Sequence, residues 1–327
     1  MVTMFFNLSN RDEPYLSRID NVNCRPVFIL GLHRSGTTLL YELMRMTGSF
    51  NIITAYHALY YDEILARHFE GTTDQAFQEL NDWFVALDIK TRFIDNVQMN
   101  ADMPEEYGMI LHAKTRKMSI TERNFPLFEQ ICRKIQAVSD PSRTILLKNP
   151  WDFNRFMDLK MMMPEAKFVF IHRHPLDVLN SQLKALHSSW SGTNPYIARL
   201  SKAYSRLHKI PLLMSIPPWI TNPSSKGQLI RHILTRRIIK IMAYYMQSIE
   251  SLAPEDYVSV RYEDLCEDPK NVFPDITDLA GVKPEFNLPF EEHIKPRNMR
   301  LIPTLAADEE KLRKKFHDII IYLGYDK

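Results

Sequence analysis

The sequence is short of cysteine, of net charge and of long apolar runs, and each shortage removes a class of function. Three cysteines in 327 residues, Cys24, Cys132 and Cys266, are odd in number and share no C-x-x-C spacing. Neither a disulfide framework nor a zinc site is indicated, and a reducing compartment fits best. Lys and Arg number 41 against 39 Asp and Glu, a formal charge of +2. That balance is too even for nucleic-acid binding to be the main business, so any basic site must be local. No run reaches the length needed to span a bilayer, and Arg11, Asp12 and Glu13 arrive before any signal-peptide core develops. A cytoplasmic protein without stable membrane insertion is expected. No linker, repeat or low-complexity tract divides the chain, and 45% hydrophobic residues can fill one large core. A single domain over residues 1–327 follows.

What is present is a series of short apolar runs, each ending at a loop that opens a helix. Pro26–Leu30 reads as a buried strand that stops at Gly31, and apolar residues at 39, 40, 43 and 44 predict a helix from Thr37 to about Gly48. Thr144–Leu147 predicts a second strand, followed by a helix with Pro150 in its first position. Lys167–Ile171 predicts a third, after which Pro175 opens a helix with Leu176, Leu179, Leu183 and Leu186 on one face. Tyr257–Val260 reads as a fourth. Helical patterns over 74–87, 104–114, 124–137, 228–252 and 308–323 lie around these, so the fold class is α/β, a doubly wound parallel sheet flanked by helices. The Pro-rich, apolar stretch 211–223, inside an insertion at about 188–250, reads either as an active-site lid or partner surface or as an irregular core segment.

Gly31-Leu32-His33-Arg34-Ser35-Gly36-Thr37-Thr38 joins strand to helix, where successive backbone N–H groups and a helix N-terminus cradle an anion. The loop keeps the two glycines of G-x-x-x-x-G, but Thr37 stands where a nucleoside triphosphatase needs lysine. Arg34 supplies the cation and Thr37 and Thr38 supply hydroxyls, a set suited to one 5′ phosphate group without a metal. The second candidate phosphate site is Arg173-His174-Pro175-Leu176-Asp177-Val178-Leu179-Asn180-Ser181, again where a strand meets a helix. Arg173 leaves the strand and Ser181 can face the same anion from the helix.

Together these two segments resemble the nucleotide-binding signatures of the superfamily of sulfotransferases that use 3′-phosphoadenosine 5′-phosphosulfate (PAPS). Asp102-Met103-Pro104-Glu105-Glu106 and Leu146-Leu147-Lys148-Asn149-Pro150 are similar to segments of its bacterial branch related to tyrosylprotein sulfotransferases. The resemblance runs from about 26 to 187 and resumes faintly at Val260–Leu265 and Leu323–Tyr325. It implies a P-loop-like fold in which Arg34, Ser35, Gly36, Thr37 and Thr38 hold the 5′ phosphosulfate. By the same resemblance Arg173 and Ser181 hold the 3′ phosphate, and Tyr262 lies near the 3′ side of the nucleotide. The product would be 3′-phosphoadenosine 5′-phosphate (PAP), and no metal is implied.

Sulfuryl transfer moves spread negative charge between an acceptor oxygen or nitrogen and a phosphate leaving group, so positioning and cations should dominate. Lys148 leaves its strand at the carboxyl edge, where open α/β sheets bind ligands, and can donate to the bridging oxygen. His57 stands where relatives commonly carry a general base, and neutral imidazole can accept a proton. Glu63, Glu105 and Glu106 are alternative bases, although the last two also suit a helix N-terminus. His172 and His174 alternate along a strand without a third ligand nearby, and are expected to shape the phosphate pocket. Lys295 and Arg297 form a late basic patch that either closes over the cofactor or is solvated. The basic stretch Arg231–Lys240 reads as one face of an amphipathic helix. Tyr56, Tyr60, Tyr61, Trp83, Trp190 and Trp219 are expected to be core. The acceptor is expected to be a small molecule. Two further readings stay open, a P-loop kinase-like phosphotransferase, which would need magnesium, and a nucleotide-binding module without chemistry.

Overall fold

A computed structural model of the chain describes residues 10–91, 97–190, 227–284, 290–294 and 300–326. The strands β1 (Val27–Leu30), β2 (Phe50–Ile52), β3 (Thr144–Lys148), β4 (Lys167–His172) and β5 (Tyr257–Arg261) form one sheet in the order β2-β3-β1-β4-β5. Every pairing is parallel, with Phe28 of β1 opposite Leu147 on one side and Phe168 on the other. The fold is the P-loop-like, doubly wound α/β class expected.

Alternate side chains of a strand face opposite sides of the sheet. Phe28, Leu30, Ile145, Leu147, Phe168 and Phe170 enter the larger core with Phe128 and Phe156. Val27, Ile29, Leu146, Val169 and Ile171 instead meet Leu40, Leu43 and Met44 of the helix Thr37–Met46. Burial on both faces is why these strands read as unbroken apolar runs.

Helices such as Ile64–Phe69 and Pro269–Ala280 were not anticipated, and three further elements depart from the sequence-based expectation. Three-residue β2 was not anticipated; it is short and borders β3 at one edge of the sheet. The helix expected at Pro150 begins as a 3-10 turn, Pro150–Arg155, and continues as Phe156–Met162 after a non-helical Asn154. Asn149 sets that turn: its Nδ2 donates to Asp152 Oδ2 at 2.8 Å and its carbonyl accepts from the Asp152 N–H at 3.1 Å. The single helix expected over 308–323 is two, Glu309–Lys315 and His317–Tyr322. Phe316 at the junction buries its ring, and the break turns Ile319 and Ile320 inward.

Strand order reverses at β1: the chain visits β2 and β3 on one side of it, then β4 and β5 on the other. Such a switch point opens a crevice at the carboxyl ends of the strands. The ends that border it here are Leu30 of β1, Lys148 of β3 and His172 of β4.

Candidate active site

The loop from Gly31 to Gly36 is shaped by close approaches. A Cβ at Gly31 would lie 2.5 Å from the Ile171 carbonyl oxygen, so the loop rests directly on β4. Arg34 (φ 76°) and Gly36 (φ 104°) both take left-handed backbone, an arrangement that turns successive N–H groups to one side. For Arg34 this conformation costs about 1–3 kcal/mol. Its Nε donates to Ser181 Oγ at 3.0 Å, a contact that helps hold it there. Gly36 is the N-cap of the helix Thr37–Met46, whose first turn contains no acidic residue to offset the dipole.

The second segment closes on the first. Arg173 is buried, its guanidinium lies 4.4 Å from the Tyr262 ring centroid, and its Nε has no hydrogen-bond partner. Gln182, next to Ser181, donates from Nε2 to the His33 carbonyl at 2.8 Å. A cleft of about 250 Å³ results, and Arg34, Gly36, Thr37, Thr38, Arg173, Ser181 and Tyr262 all line it. Leu39, Glu42 and His293 line it too and were not anticipated. Helical spacing would have found Glu42, one turn beyond Thr38 on the same face. Ser35 is turned the other way, toward a smaller void that it shares with His172 and Arg173.

The two faint segments of the C-terminal third meet behind Tyr262. Arg261 Nη1 donates to the Gly324 carbonyl at 2.8 Å, and Tyr325 donates from its hydroxyl to Glu263 Oε2 at 2.6 Å. The other oxygen of Glu263 accepts the His174 N–H at 3.1 Å. Tyr262 is thereby fixed to the start of the helix Pro175–Trp190.

Lys148 ends β3 with its side chain 2% exposed, and Nζ lies 3.1 Å from both Thr38 Oγ1 and Glu106 Oε1. On the far side of the loop His33 meets Trp151 edge-on at 4.6 Å, and the guanidinium of Arg237 lies 5.0 Å from the Trp151 ring centroid. The helix Gln228–Ser248 thus brings part of its basic stretch against Trp151, beside the phosphate loop. Burial, reinforced by Arg237, Lys148 and Arg34, pushes the His33 ring down to about 3, so it is neutral near pH 7.

His57 sits elsewhere in its bonding. It occupies the third position of the short helix Ala55–Leu59, where Thr54 and His57 form a reciprocal capping box. The Thr54 N–H donates to His57 Nδ1 at 3.1 Å. Burial lowers its pKa to about 4. In this geometry the Nδ1 atom of His57 serves the cap of the helix Ala55–Leu59, meeting both the N–H and Oγ1 of Thr54 at 3.1 Å. Glu63 is committed to Arg11 and Arg67, and Glu105 Oε1 accepts the Glu106 N–H at 2.8 Å.

His172 packs 4.5 Å from Tyr245, and His174 lies edge-on to Tyr325. Among the described residues no group of three or more His, Cys, Asp or Glu could hold a metal ion, and no helix is long and apolar enough to cross a membrane. Tyr56, Tyr60 and Tyr61 are buried in the larger core, with Trp83 packed against it. Lys295, Arg297, Trp219, the stretch 211–223 and the side chain of Trp190 lie outside the described residues.

Three comparisons bear on this site. The model of the sulfotransferase family matches residues 26–218. Omega-hydroxy-beta-dihydromenaquinone-9 sulfotransferase Stf3 of Mycobacterium bovis and of Mycobacterium tuberculosis is 24% identical over 277 residues, 75% of this chain. The chain covers 60% of the length of these curated relatives. Among solved structures, sulfotransferase STF9 from Mycobacterium avium is similar with a TM-score of 0.62 at 14% identity, over 95% of this chain and 79% of that one. Sulfotransferase STF1 from Mycobacterium tuberculosis is similar with a TM-score of 0.53 at 17% identity, over 94% and 80%. The structures speak to the fold. The family match covers more than half of the sequence and contains both phosphate segments and Lys148, and the chain belongs to the sulfotransferase family.

Proposed function

We propose that the protein transfers a sulfuryl group from PAPS to a hydroxyl, or an amine, of a small-molecule acceptor and releases PAP. The observation that carries this reading is the convergence of two cationic anion sites, Arg34 and Arg173, on one cleft, with a buried lysine at the phosphate loop. A bisphosphorylated donor fits the residues present. Arg173 Nε is buried without a partner, and a side chain at Gly36 would fill the cradle.

In this reading Arg34, Gly36, Thr37 and Thr38 hold the 5′ end of the donor, with Ser35 shaping the loop from behind. Arg173 and Ser181 take the 3′ phosphate, while the Tyr262 ring, backed by Arg173, lines the nucleotide beside it. When bound, PAPS supplies an activated sulfuryl group on a phosphate leaving group. Lys148 donates to the oxygen on which charge grows as the sulfur–oxygen bond breaks, a form of electrostatic stabilisation made ready by the fold. The name of the Stf3 relatives describes transfer to an omega-hydroxyl of dihydromenaquinone, and a hydroxyl on an apolar small molecule is the acceptor class we favour here. Free Cys24, Cys132 and Cys266 suit a reducing, cytoplasmic setting.

Calorimetric titration with PAP, and in parallel with ATP plus magnesium, on wild type, Arg34→Ala and Arg173→Ala tests the reading. PAP binding that both substitutions weaken supports it, and transfer from ³⁵S-labelled PAPS in an acceptor screen completes it. Binding of ATP in place of PAP would overturn it in favour of a kinase-like nucleotide site.

A further inference from the structure

We infer that Glu106 is the base that receives the acceptor's proton. The inference rests on the sulfotransferase reading above and identifies a group that reading leaves unassigned.

Glu106 is the N-cap of the helix Tyr107–Thr115, a position that favours the shorter Ser, Thr, Asp and Asn for a bond to the first turn. It makes no such bond. Its Oε1 instead meets Lys148 Nζ at 3.1 Å, and the same ammonium reaches Thr38 Oγ1 of the phosphate loop at 3.1 Å. One lysine therefore joins the carboxylate to the place where the transferred group would sit. The Glu106 side chain keeps 19% of its surface open, enough to pass a proton on to solvent, whereas Lys148 is closed off at 2%.

The fold builds this contact from both sides. Tyr107 donates from its hydroxyl to Asp152 Oδ2 at 2.7 Å, tying the residue after Glu106 to the turn after Lys148. At Gly108 a Cβ would lie 2.8 Å from Asn149 Oδ1, so the two segments touch backbone to side chain. On the other flank the Glu105 N–H donates to the Ile53 carbonyl at 2.8 Å. These contacts hold Glu106 against Lys148.

The step balances within the site. The acceptor O–H bond breaks and its proton passes to the Glu106 carboxylate, while the acceptor oxygen forms the new bond to sulfur. The sulfur–oxygen bond of the donor breaks, its electron pair stays on the 5′ phosphate of PAP, and Lys148 stabilises that oxygen. His57, with Nδ1 engaged by Thr54, takes no part.

The test uses Glu106→Gln and His57→Gln in the full chain, with PAP titration and thermal melting to establish folding and cofactor binding. Transfer from ³⁵S-labelled PAPS is then measured to phenol, to 4-nitrophenol at mildly alkaline pH where it is largely ionised, and to water. Glu106→Gln is expected to bind PAP like wild type and to lose roughly 10²–10⁴-fold in transfer to phenol, the usual worth of a general base. Transfer to 4-nitrophenolate, which has no proton to give up, should fall far less, and His57→Gln should keep both. Three results overturn the proposal: a Glu106→Gln rate to phenol equal to wild type, an equal fall for both phenols, or loss of phenol transfer in His57→Gln with PAP binding intact. The second would mean that Glu106 only positions Lys148. A wild type that neither binds PAP nor transfers to any acceptor of the screen sinks the transferase reading itself, and the proposal with it.

Discussion

Gly36 and Tyr262, 226 positions apart in the sequence, are so close that a methyl group on Gly36 would lie 2.3 Å from Tyr262 Cδ2. The glycine is also held at φ 104°, so two independent constraints exclude a side chain there. Gly36→Ala is expected to lose at least about tenfold in PAP affinity and about 1–3 kcal/mol in stability. Adding Tyr262→Ala should relieve the collision but not the backbone strain, giving partial recovery of the melting temperature. Full recovery in the double variant would show that the backbone angle costs nothing.

Arg34 and Arg173 bind different ends of the proposed donor, yet Arg34 also donates to Ser181 beside the second site. Each arginine-to-alanine change should weaken PAP binding by about 1.5–3 kcal/mol, the range for hydrogen bonds to charged groups. Arg34→Ala and Ser181→Ala should be non-additive in a double-mutant cycle, because they share a contact. Additive losses would show that the contact between the two side chains contributes nothing to PAP binding.

Lys148 Nζ lies 3.1 Å from Thr38 Oγ1 of the phosphate loop, which puts it beside the proposed leaving oxygen. Lys148→Met should lower kcat by on the order of 10²–10³, as loss of one preorganised donor does, with a smaller change in PAP affinity. Glu106 would then lack its partner, so Lys148→Met should also melt earlier than the double variant Lys148→Met/Glu106→Gln. A fall in PAP affinity as large as the fall in kcat would make Lys148 a binding residue.

Acid should destabilise the fold through buried histidines. Burial holds His172 down to about 3 and His57 to about 4, against an ordinary 6.5. Between those values and 6.5 the unfolded chain binds more protons than the folded one, so stability rises with pH in that window and is lost as pH falls through it. Asp152, which burial raises to about 6, acts in the opposite sense between 3.8 and 6 and offsets part of the loss. His172→Phe, which retains the packing on Tyr245, should gain on the order of 1–2 kcal/mol over wild type at pH 5 and much less at pH 8. Chemical denaturation at the two pH values measures the difference.

Trp151 is 36% exposed beside the phosphate loop, between His33 and Arg237. Trp151→Ala is expected to raise the acceptor KM several-fold while leaving PAP affinity unchanged. A change confined to PAP binding would move Trp151 to the donor side.

The two phosphate segments were legible in the sequence because each is a local unit, an apolar strand followed by a loop with fixed residue types and a helix. Their convergence on one cleft needed only the parallel order of β1 and β4. His57 was not legible in the same way: its position resembles that of a base in related chains, but Thr54, three residues earlier, engages Nδ1 in a helix cap. Glu106 presents the reverse case. From sequence it suits a helix N-terminus as well as a base, and the contacts of Glu105, Tyr107 and Gly108 in the fold set its carboxylate on Lys148. Phe316 shows the limit of periodicity, since a pattern that continues across a break does not reveal the change of axis.

The bond between Arg34 and Ser181 also has a meaning for molecules that resemble the donor at one end alone. A mononucleotide such as AMP would have to part these side chains while replacing their contact with a single anion, and the other side chain would be left without compensation. A bisphosphate returns an acceptor to each. In the proposed site, discrimination against mononucleotides would begin in a contact present before any ligand arrives, and Arg173 and Ser181 would complete it by meeting the second phosphate.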